Sequence, residues 1–270
     1  MTRPTVAVWK FASCDGCQLT VLDCEDDLLA IAEALDIRMF LEAGPDELLD
    51  HYDVSFVEGS ITTEHDAERI RDVRARSGVL VTIGACATAG GIQALRNTAD
   101  VAEYAATVYA RPDWIDTLAT STPIADHVTV DHELRGCPIS KHQLLATVTA
   151  LVAGRRLPVT SHSVCVECKQ SGATCLLVAH GTACLGPVTH GGCDALCPSL
   201  GRGCFGCFGP SEAVNTGALR AAWTAAGIGD DEWLRSLRTF NVASPEFSAA
   251  ASGVAVAVRA GVRDDVGERP

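Results

Sequence analysis

Eight cysteines fall within residues 165–207 of this 270-residue chain, and they constrain how that stretch can fold. The stretch is rich in glycine and has few aromatic residues and no long apolar run. It therefore cannot bury enough hydrophobic surface to order itself. Disulfides, zinc and iron–sulfur clusters are three ways in which cysteines can order such a segment. The eight are Cys165, Cys168, Cys175, Cys184, Cys193, Cys197, Cys204 and Cys207.

The composition argues against a nucleic-acid partner and favours metal ligation over disulfides. The formal net charge is −13, whereas phosphate binding needs concentrated Lys and Arg. Residues 1–14 lack the basic and long apolar regions of a signal peptide. No stretch reaches the ~18 consecutive apolar residues of a membrane-spanning helix. We therefore expect a soluble, cytoplasmic protein with no membrane partner, whose thirteen cysteines are metal ligands rather than disulfides.

Strand-like and helix-like segments alternate through the first part of the chain. The predicted strands cover residues 5–10, 36–41, 53–57, 79–84 and 127–130. The predicted helices cover residues 19–35, 64–76 and 141–152, the last capped by Ser140. This alternation predicts an α/β fold with a flavodoxin-like, doubly wound parallel sheet over residues 1–155.

Two further parts are predicted after the sheet domain. Residues 156–210 form a small cysteine-rich domain, and residues 211–270 form C-terminal helices and a frayed tail. Helices are expected from Ser211 to residue 226 and over residues 230–237, with Trp223 and Trp233 as packing residues. The tail is expected to be frayed from Gly253 and disordered over residues 264–270.

Four cysteines far apart in the sequence follow predicted strands at their carboxyl ends. Cys14 and Cys17 follow the first strand, Cys86 the fourth and Cys137 the fifth, while Glu58 follows the third. In open α/β sheets, ligands bind at this edge, where the strand order switches. We therefore expect these four thiols to converge on one ligand.

Twelve of the thirteen cysteines divide into three sets of four: the sheet-edge set and two sets within residues 165–207. The remaining one, Cys24, lies within the predicted first helix, and we interpret it as structural. Four thiolates suit tetrahedral zinc or a cubane 4Fe–4S cluster. The C-x2-C pairs in the second stretch keep zinc open there. The prolines that directly follow Cys137 and Cys197 are typical of iron–sulfur ligation and favour clusters.

The chain contains no P-loop and no Ser/His/Asp grouping. Iron–sulfur clusters are redox centres rather than substrate sites. Three of them in one acidic chain therefore indicate a path for electrons to a partner.

The cysteine motifs of this chain resemble those of the small, electron-transfer subunits of cytoplasmic NiFe hydrogenases. The motifs are most similar to those of the delta subunits of the sulfhydrogenase or NADP-linked type. The resemblance covers residues 6–210, with a weaker similarity to residue 247. It is carried by SCDGCQLT (13–20), VEGSI (57–61), IGACATAGG (83–91), GCP (136–138), CLGPVTHGGC (184–193), CP (197–198) and GRGCFGCFGP (201–210).

The resemblance implies three 4Fe–4S clusters, each with four cysteine ligands. The proximal cluster would be held by Cys14, Cys17, Cys86 and Cys137. The medial cluster would be held by Cys193, Cys197, Cys204 and Cys207. The distal cluster would be held by Cys165, Cys168, Cys175 and Cys184. Spacing alone would also permit the crossed pairing of two-cluster ferredoxins within the last eight cysteines.

The resemblance also implies a function and partners. Electrons would pass between the NiFe site of a large subunit and a flavin- or ferredoxin-type electron-transfer subunit, in H2 oxidation or proton reduction. The chain would not be catalytic alone. Glu58 matches a family glutamate near the proximal cluster, where it could tune the cluster or face the large subunit. The alternative for Glu58 is a solvated loop acid. The alternatives are an iron–sulfur subunit of a related, non-hydrogenase reductase and a zinc-stabilised interaction protein.

Overall fold

The computed structural model describes residues 3–253, which form two compact units that divide between Thr160 and Ser161. Among these residues, no helix combines the length and the apolar character needed to cross a membrane. The tail predicted to be frayed beyond Gly253 lies outside the described residues.

A five-stranded parallel sheet, in the order β2-β1-β3-β4-β5, forms the centre of the first unit. Its strands are β1 (Thr5–Lys10), β2 (Asp36–Phe40), β3 (Tyr52–Glu58), β4 (Ser77–Ile83) and β5 (His132–Leu134). This is the flavodoxin-like order, with its switch point between β1 and β3. It confirms the predicted fold class.

Apolar residues cover both faces of this sheet. Val8 and Val81 lie in one core cluster, while Trp9 and Leu80 lie in the other, because neighbouring strand residues point to opposite faces. The helices of this unit are α1 (Gly16–Leu22), α2 (Asp26–Ala34), α3 (Glu64–Ala75), α4 (Gly84–Ala89), α5 (Val101–Val108) and α6 (Lys141–Val152). Short 3-10 helices cover Ile92–Thr98, Pro112–Trp114 and Ile124–Asp126. Burial on both faces is what a parallel sheet requires.

Two predicted elements of this unit are wrong in detail. The fifth strand is β5, not residues 127–130. Asp131 explains the shift, because its carboxylate accepts a hydrogen bond from the backbone N of Leu80 at 2.8 Å and the ladder begins only after it. The single helix predicted over residues 19–35 is two helices, α1 and α2. The chain turns between them at Cys24, which is 1% exposed and packs into the core.

The second unit contains the helices α7 (Val164–Gln170), α8 (Leu176–His180), α9 (Leu196–Ser199), α10 (Thr216–Ala225) and α11 (Asp230–Leu237), a short 3-10 helix over Gly186–Val188 and a further helical segment over residues 245–253. The helix predicted to open at Ser211 begins later, because the side chain of Asn215 accepts the capping hydrogen bond from Ala218 N at 2.9 Å. Trp223 and Trp233 pack edge to face, with ring centroids 5.2 Å apart. Their predicted packing role is confirmed.

Trp223→Ala is expected to lower the free energy of unfolding of the second unit by about 3–5 kcal/mol. The indole is 1% exposed and also donates a hydrogen bond from Nε1 to Cys184 O at 3.3 Å. Denaturant titration followed by circular dichroism measures the change. Trp114→Ala is the matched control, because Trp114 is 72% exposed and its loss should cost under about 1 kcal/mol. Equal effects of the two substitutions would contradict the assigned core.

Candidate iron–sulfur sites

Four thiols meet at the carboxyl-terminal edge of the parallel sheet. Cys14 lies in the loop after β1 and Cys17 lies on α1, while Cys86 lies on α4 directly after β4 and Cys137 follows β5. Cys137 interacts electrostatically with Cys86 and Cys14, and Cys17 does so with Cys86 and Cys137. The structure therefore brings together the four residues that the sequence places at this edge.

Burial is the largest cause of the raised pKa values of three of these thiols. It raises the pKa of Cys86 and that of Cys137 to about 11, and the charge of Cys14 acts in the same direction on both. Burial also raises the pKa of Cys17. Such thiols stay protonated at neutral pH unless a nearby positive charge stabilises the thiolate. A coordinated metal centre supplies that charge, because it deprotonates the thiols that bind it.

Glycines leave space beside the sulfur atoms. A Cβ atom added at Gly84, where φ is +85°, would clash with Cys17 Sγ, and one added at Gly91 would lie 2.5 Å from Cys86 Sγ. The backbone can approach the thiols only because these positions carry no side chain. The set of four thiols, with glycines that let the backbone approach them, fits an iron–sulfur cluster.

A buried carboxylate supports the ligand loop from β3. Glu58 is 2% exposed. Its Oε1 accepts a hydrogen bond from the backbone N of Cys17 at 3.0 Å, and its Oε2 accepts one from Gln18 Nε2 at 2.7 Å. Burial raises the pKa of the Glu58 carboxyl, although these two hydrogen bonds oppose that effect. Glu58 thus fixes the first turn of α1, and its role in tuning a cluster or contacting a partner stays a prediction.

The loop between Cys14 and Cys17 is held by ionic contacts. Asp15 adopts a left-handed conformation with φ of 64°, which costs energy for a residue with a side chain. Lys10 Nζ lies 2.6 Å from Asp15 Oδ2, and Ser13 Oγ donates to Asp15 Oδ1 at 3.0 Å. These contacts hold Asp15 in the conformation that the turn between the two cysteines requires.

The second unit contains a group formed by Cys165 and Cys168 of α7, Cys175 before α8, and Cys184. Burial raises the pKa of Cys165 to about 11, and the charges of Cys184, Cys168 and Cys175 act in the same direction. A Cβ atom added at Gly186 would lie 3.4 Å from Cys184 Sγ and 3.5 Å from Cys165 Sγ. The four thiols predicted to hold the distal cluster therefore lie near one another.

The remaining four cysteines adjoin this group. Burial raises the pKa of Cys193 to about 11 and also raises that of Cys204, and Cys207 interacts electrostatically with both. Cys197 lies on α9, shortly after Cys193. The backbone N of Cys204 donates a hydrogen bond to Cys184 Sγ at 3.2 Å. The two groups are therefore neighbours, and their division into a medial and a distal set stays a prediction.

All thirteen cysteines lie in the described part of the chain, and none of them forms a disulfide. Within residues 3–253, no three His, Cys, Asp or Glu side chains converge closely enough to hold a single metal ion. A cluster of four irons and four sulfides is several ångströms wide, so its ligands stand further apart than those of one zinc ion. Cys24 belongs to none of the three groups described above, and burial raises its pKa.

Comparison with known proteins gives the family. Residues 14–151 match the family described as NADH ubiquinone oxidoreductase, 20 Kd subunit. The delta subunit of sulfhydrogenase 2 from Pyrococcus furiosus is 35% identical over 235 residues, which are 87% of this chain and 98% of that subunit. The chain belongs to the family of hydrogenase small subunits. A vhu subunit of the F420-non-reducing hydrogenase from Methanocaldococcus jannaschii is 31% identical, covering 83% of this chain and 88% of that protein.

The fold of this hydrogenase small subunit has a solved counterpart. It matches a chain of the NAD+-reducing NiFe-hydrogenase in its H2-reduced state with a TM-score of 0.54 and 26% identity, over 58% of this chain and 96% of that one. The resemblance inferred from the cysteine motifs is confirmed. Family membership and the thirteen cysteines together indicate iron–sulfur clusters in a subunit of an oxidoreductase complex.

Three polar residues of this small subunit were not singled out by sequence reasoning. Gln18 is 1% exposed and donates to Glu58. Gln93 donates from Nε2 to Ala12 O at 2.7 Å and lies beside Cys86. Glu167 is 6% exposed and contacts the loop that carries Cys193. Gln18 and Glu167 have a signal in the sequence, because each stands next to a predicted ligand.

Gly84→Ala is expected to remove the cluster of the sheet-edge group, because the new methyl group would occupy the place of Cys17 Sγ. Iron and sulfide analysis of the anaerobically purified protein measures the loss. Gly154→Ala is the matched control: Gly154 has φ of +60° with nothing within 4 Å of an added Cβ. This control variant should be destabilised only by the strain of its left-handed backbone, which is about 1–2 kcal/mol. Full iron content in the Gly84 variant would contradict the assigned geometry.

Proposed function

We propose that this chain is the electron-relay subunit of a NiFe hydrogenase. Electrons pass between the NiFe centre of a large subunit and a flavin- or ferredoxin-type electron-transfer subunit. The observation that carries the proposal is the 35% identity to the delta subunit of sulfhydrogenase 2 over 98% of that subunit's length. The adjoining thiol groups support it, because a relay needs several redox centres.

Three 4Fe–4S clusters are part of the proposal. The residues that hold them are those of the proximal, medial and distal sets defined above. When bound, the clusters supply one-electron redox chemistry. The raised thiol pKa values and the glycines beside the sulfur atoms support cluster ligation by these residues.

The chain's own residues would hold the ligand segments and limit the access of water. The proximal set lies against a core that includes Cys17, Ile139 and Leu144. Leu185 and Val188, which follow Cys184, pack against the core of the C-terminal helices. Buried surroundings and nearby charges are two means by which a protein sets cluster potentials.

The partners and the location are proposed on the same basis. The sulfhydrogenase, F420-non-reducing and NAD+-reducing relatives are all named as parts of hydrogenases, which supports a large subunit and an electron-transfer subunit as partners. Thirteen cysteines without a disulfide, twelve of them proposed as cluster ligands, suit a reducing compartment, and we propose that the protein is cytoplasmic.

The metal content of the anaerobically purified complex tests the proposal. We expect about twelve irons and twelve sulfides for each copy of this chain, with nickel in a co-purifying large subunit. About three zinc ions without acid-labile sulfide would instead indicate the zinc-stabilised interaction protein. A full set of clusters in a stable, nickel-free assembly would favour a subunit of another reductase.

Cys86→Ser is expected to lower the iron content by about four per chain and to leave the other two clusters in place. The reason is that Cys86 belongs to the sheet-edge group and lies in the first unit. Iron analysis and EPR of the reduced complex measure the loss. Cys24→Ser is the matched control, because this cysteine is buried but outside the three sets. Equal iron loss in both variants would argue against the proximal set.

A further inference from the structure

Glu167 is a buried carboxylate between two cysteine-bearing segments of the second unit. It lies on α7, between Cys165 and Cys168, and is 6% exposed. Burial of a charged side chain is costly unless hydrogen bonds compensate it. The partners of this carboxylate therefore indicate why it is there.

Those partners lie mainly in the loop that carries Cys193. Oε1 accepts a hydrogen bond from the backbone N of Gly192, and Oε2 accepts one from the backbone N of Ala195 at 3.1 Å. Oε2 also lies 3.8 Å from Cys193 Sγ. From α7 itself, the carboxylate thus reaches across to a ligand segment of the neighbouring group.

The conformation of this loop suits an anion. Gly192, Asp194 and Ala195 all have positive φ, at 129°, 54° and 52°. The two non-glycine residues are unfavourable in this region, and successive turns of this kind direct backbone N–H groups toward an anion. The loop is also closely packed here, because a Cβ atom added at Gly191 would lie 2.9 Å from Glu167 Oε1. The hydrogen bonds from Gly192 N and Ala195 N to Glu167 link the carboxylate to the loop in this conformation.

His162 completes the surroundings of the carboxylate. Its Nε2 lies 3.2 Å from Glu167 Oε1, and its side chain is 40% exposed. The two backbone N–H groups are neutral donors, so they stabilise the carboxylate without cancelling its charge. His162 would cancel this charge only with a protonated imidazole. With a neutral imidazole, the charge remains beside Cys193.

We infer that Glu167 is a positioning residue that fixes the Cys193 loop onto α7, and that its negative charge lowers the reduction potential of the cluster held by Cys193. Reduction adds one electron to a centre already surrounded by four thiolates, and a nearby carboxylate opposes that step. The inference rests on the proposed function, because it requires clusters on these cysteines.

Redox titration of the purified hydrogenase complex, followed by EPR, tests the inference with three variants. Glu167→Gln keeps the shape but loses the charge and can accept only one of the two backbone hydrogen bonds. Glu167→Asp keeps the charge on a shorter side chain. Glu212→Gln is the matched control, since Glu212 is an exposed carboxylate of the same unit. Iron content is measured on every sample.

We expect the Gln variant to shift one midpoint potential in the positive direction and to leave the other two unchanged. The Asp variant should return that potential toward the wild-type value, and the Glu212 variant should change none. Loss of about four irons from the Gln variant, with retention in the Asp variant, would also support the inference.

Two results would overturn it. One is full iron content with wild-type potentials in the Gln variant. The other is equal iron loss in the Gln and Asp variants, because side-chain packing rather than charge would then hold the loop. A wild-type complex without clusters would instead overturn the proposed function itself, and the iron analysis of the wild-type sample separates the two cases.

Discussion

The shared carboxyl-terminal edge of the parallel sheet is the constraint on which the first cysteine group depends. Because β1, β4 and β5 run in the same direction, the segments that leave them bring together thiols that are far apart in the chain. No local motif could do this. Glu58, at the end of β3, also supports this group, because its carboxylate accepts a hydrogen bond from the backbone N of Cys17 at 3.0 Å.

The second unit has no sheet among its described residues, and its cysteine-rich segment obtains hydrophobic support from the helices that follow it. Leu185 and Val188 pack with Trp223 and Phe247 in one core. Asn241 adds polar support, because its Nδ2 donates to Gly206 O at 2.9 Å and to Cys207 O at 3.2 Å. The residues after 210 thus supply the buried surface that the glycine-rich segment lacks.

The sequence was sufficient to predict the fold class and the sheet-edge group, because both follow from apolar strands and from what lies just after each strand. The sequence was insufficient where a single polar side chain determined at which residue an element begins. The carboxylate of Asp131 delays β5, and Asn215, rather than Ser211, caps α10. The break between α1 and α2 lies where Cys24 is buried and Glu25 has a positive φ, and helical periodicity does not reveal it. The contacts of Glu167 depend on loop geometry, and spacing alone cannot give them.

Both units stabilise a cysteine-bearing segment with the same kind of interaction. Each places a buried glutamate on the backbone N–H of a cysteine-bearing segment: Glu58 on Cys17, and Glu167 on Gly192 and Ala195. A lysine at these positions could not accept those hydrogen bonds, and an apolar side chain would leave the N–H groups without a partner. A carboxylate satisfies them, but it also sets a negative charge beside thiols that become thiolates when they bind a metal. Under the proposed function, the residue that orders the ligand segment would therefore also make reduction of the bound cluster less favourable. In such a site the positioning of the ligands and the electrostatics of the cluster cannot be adjusted independently.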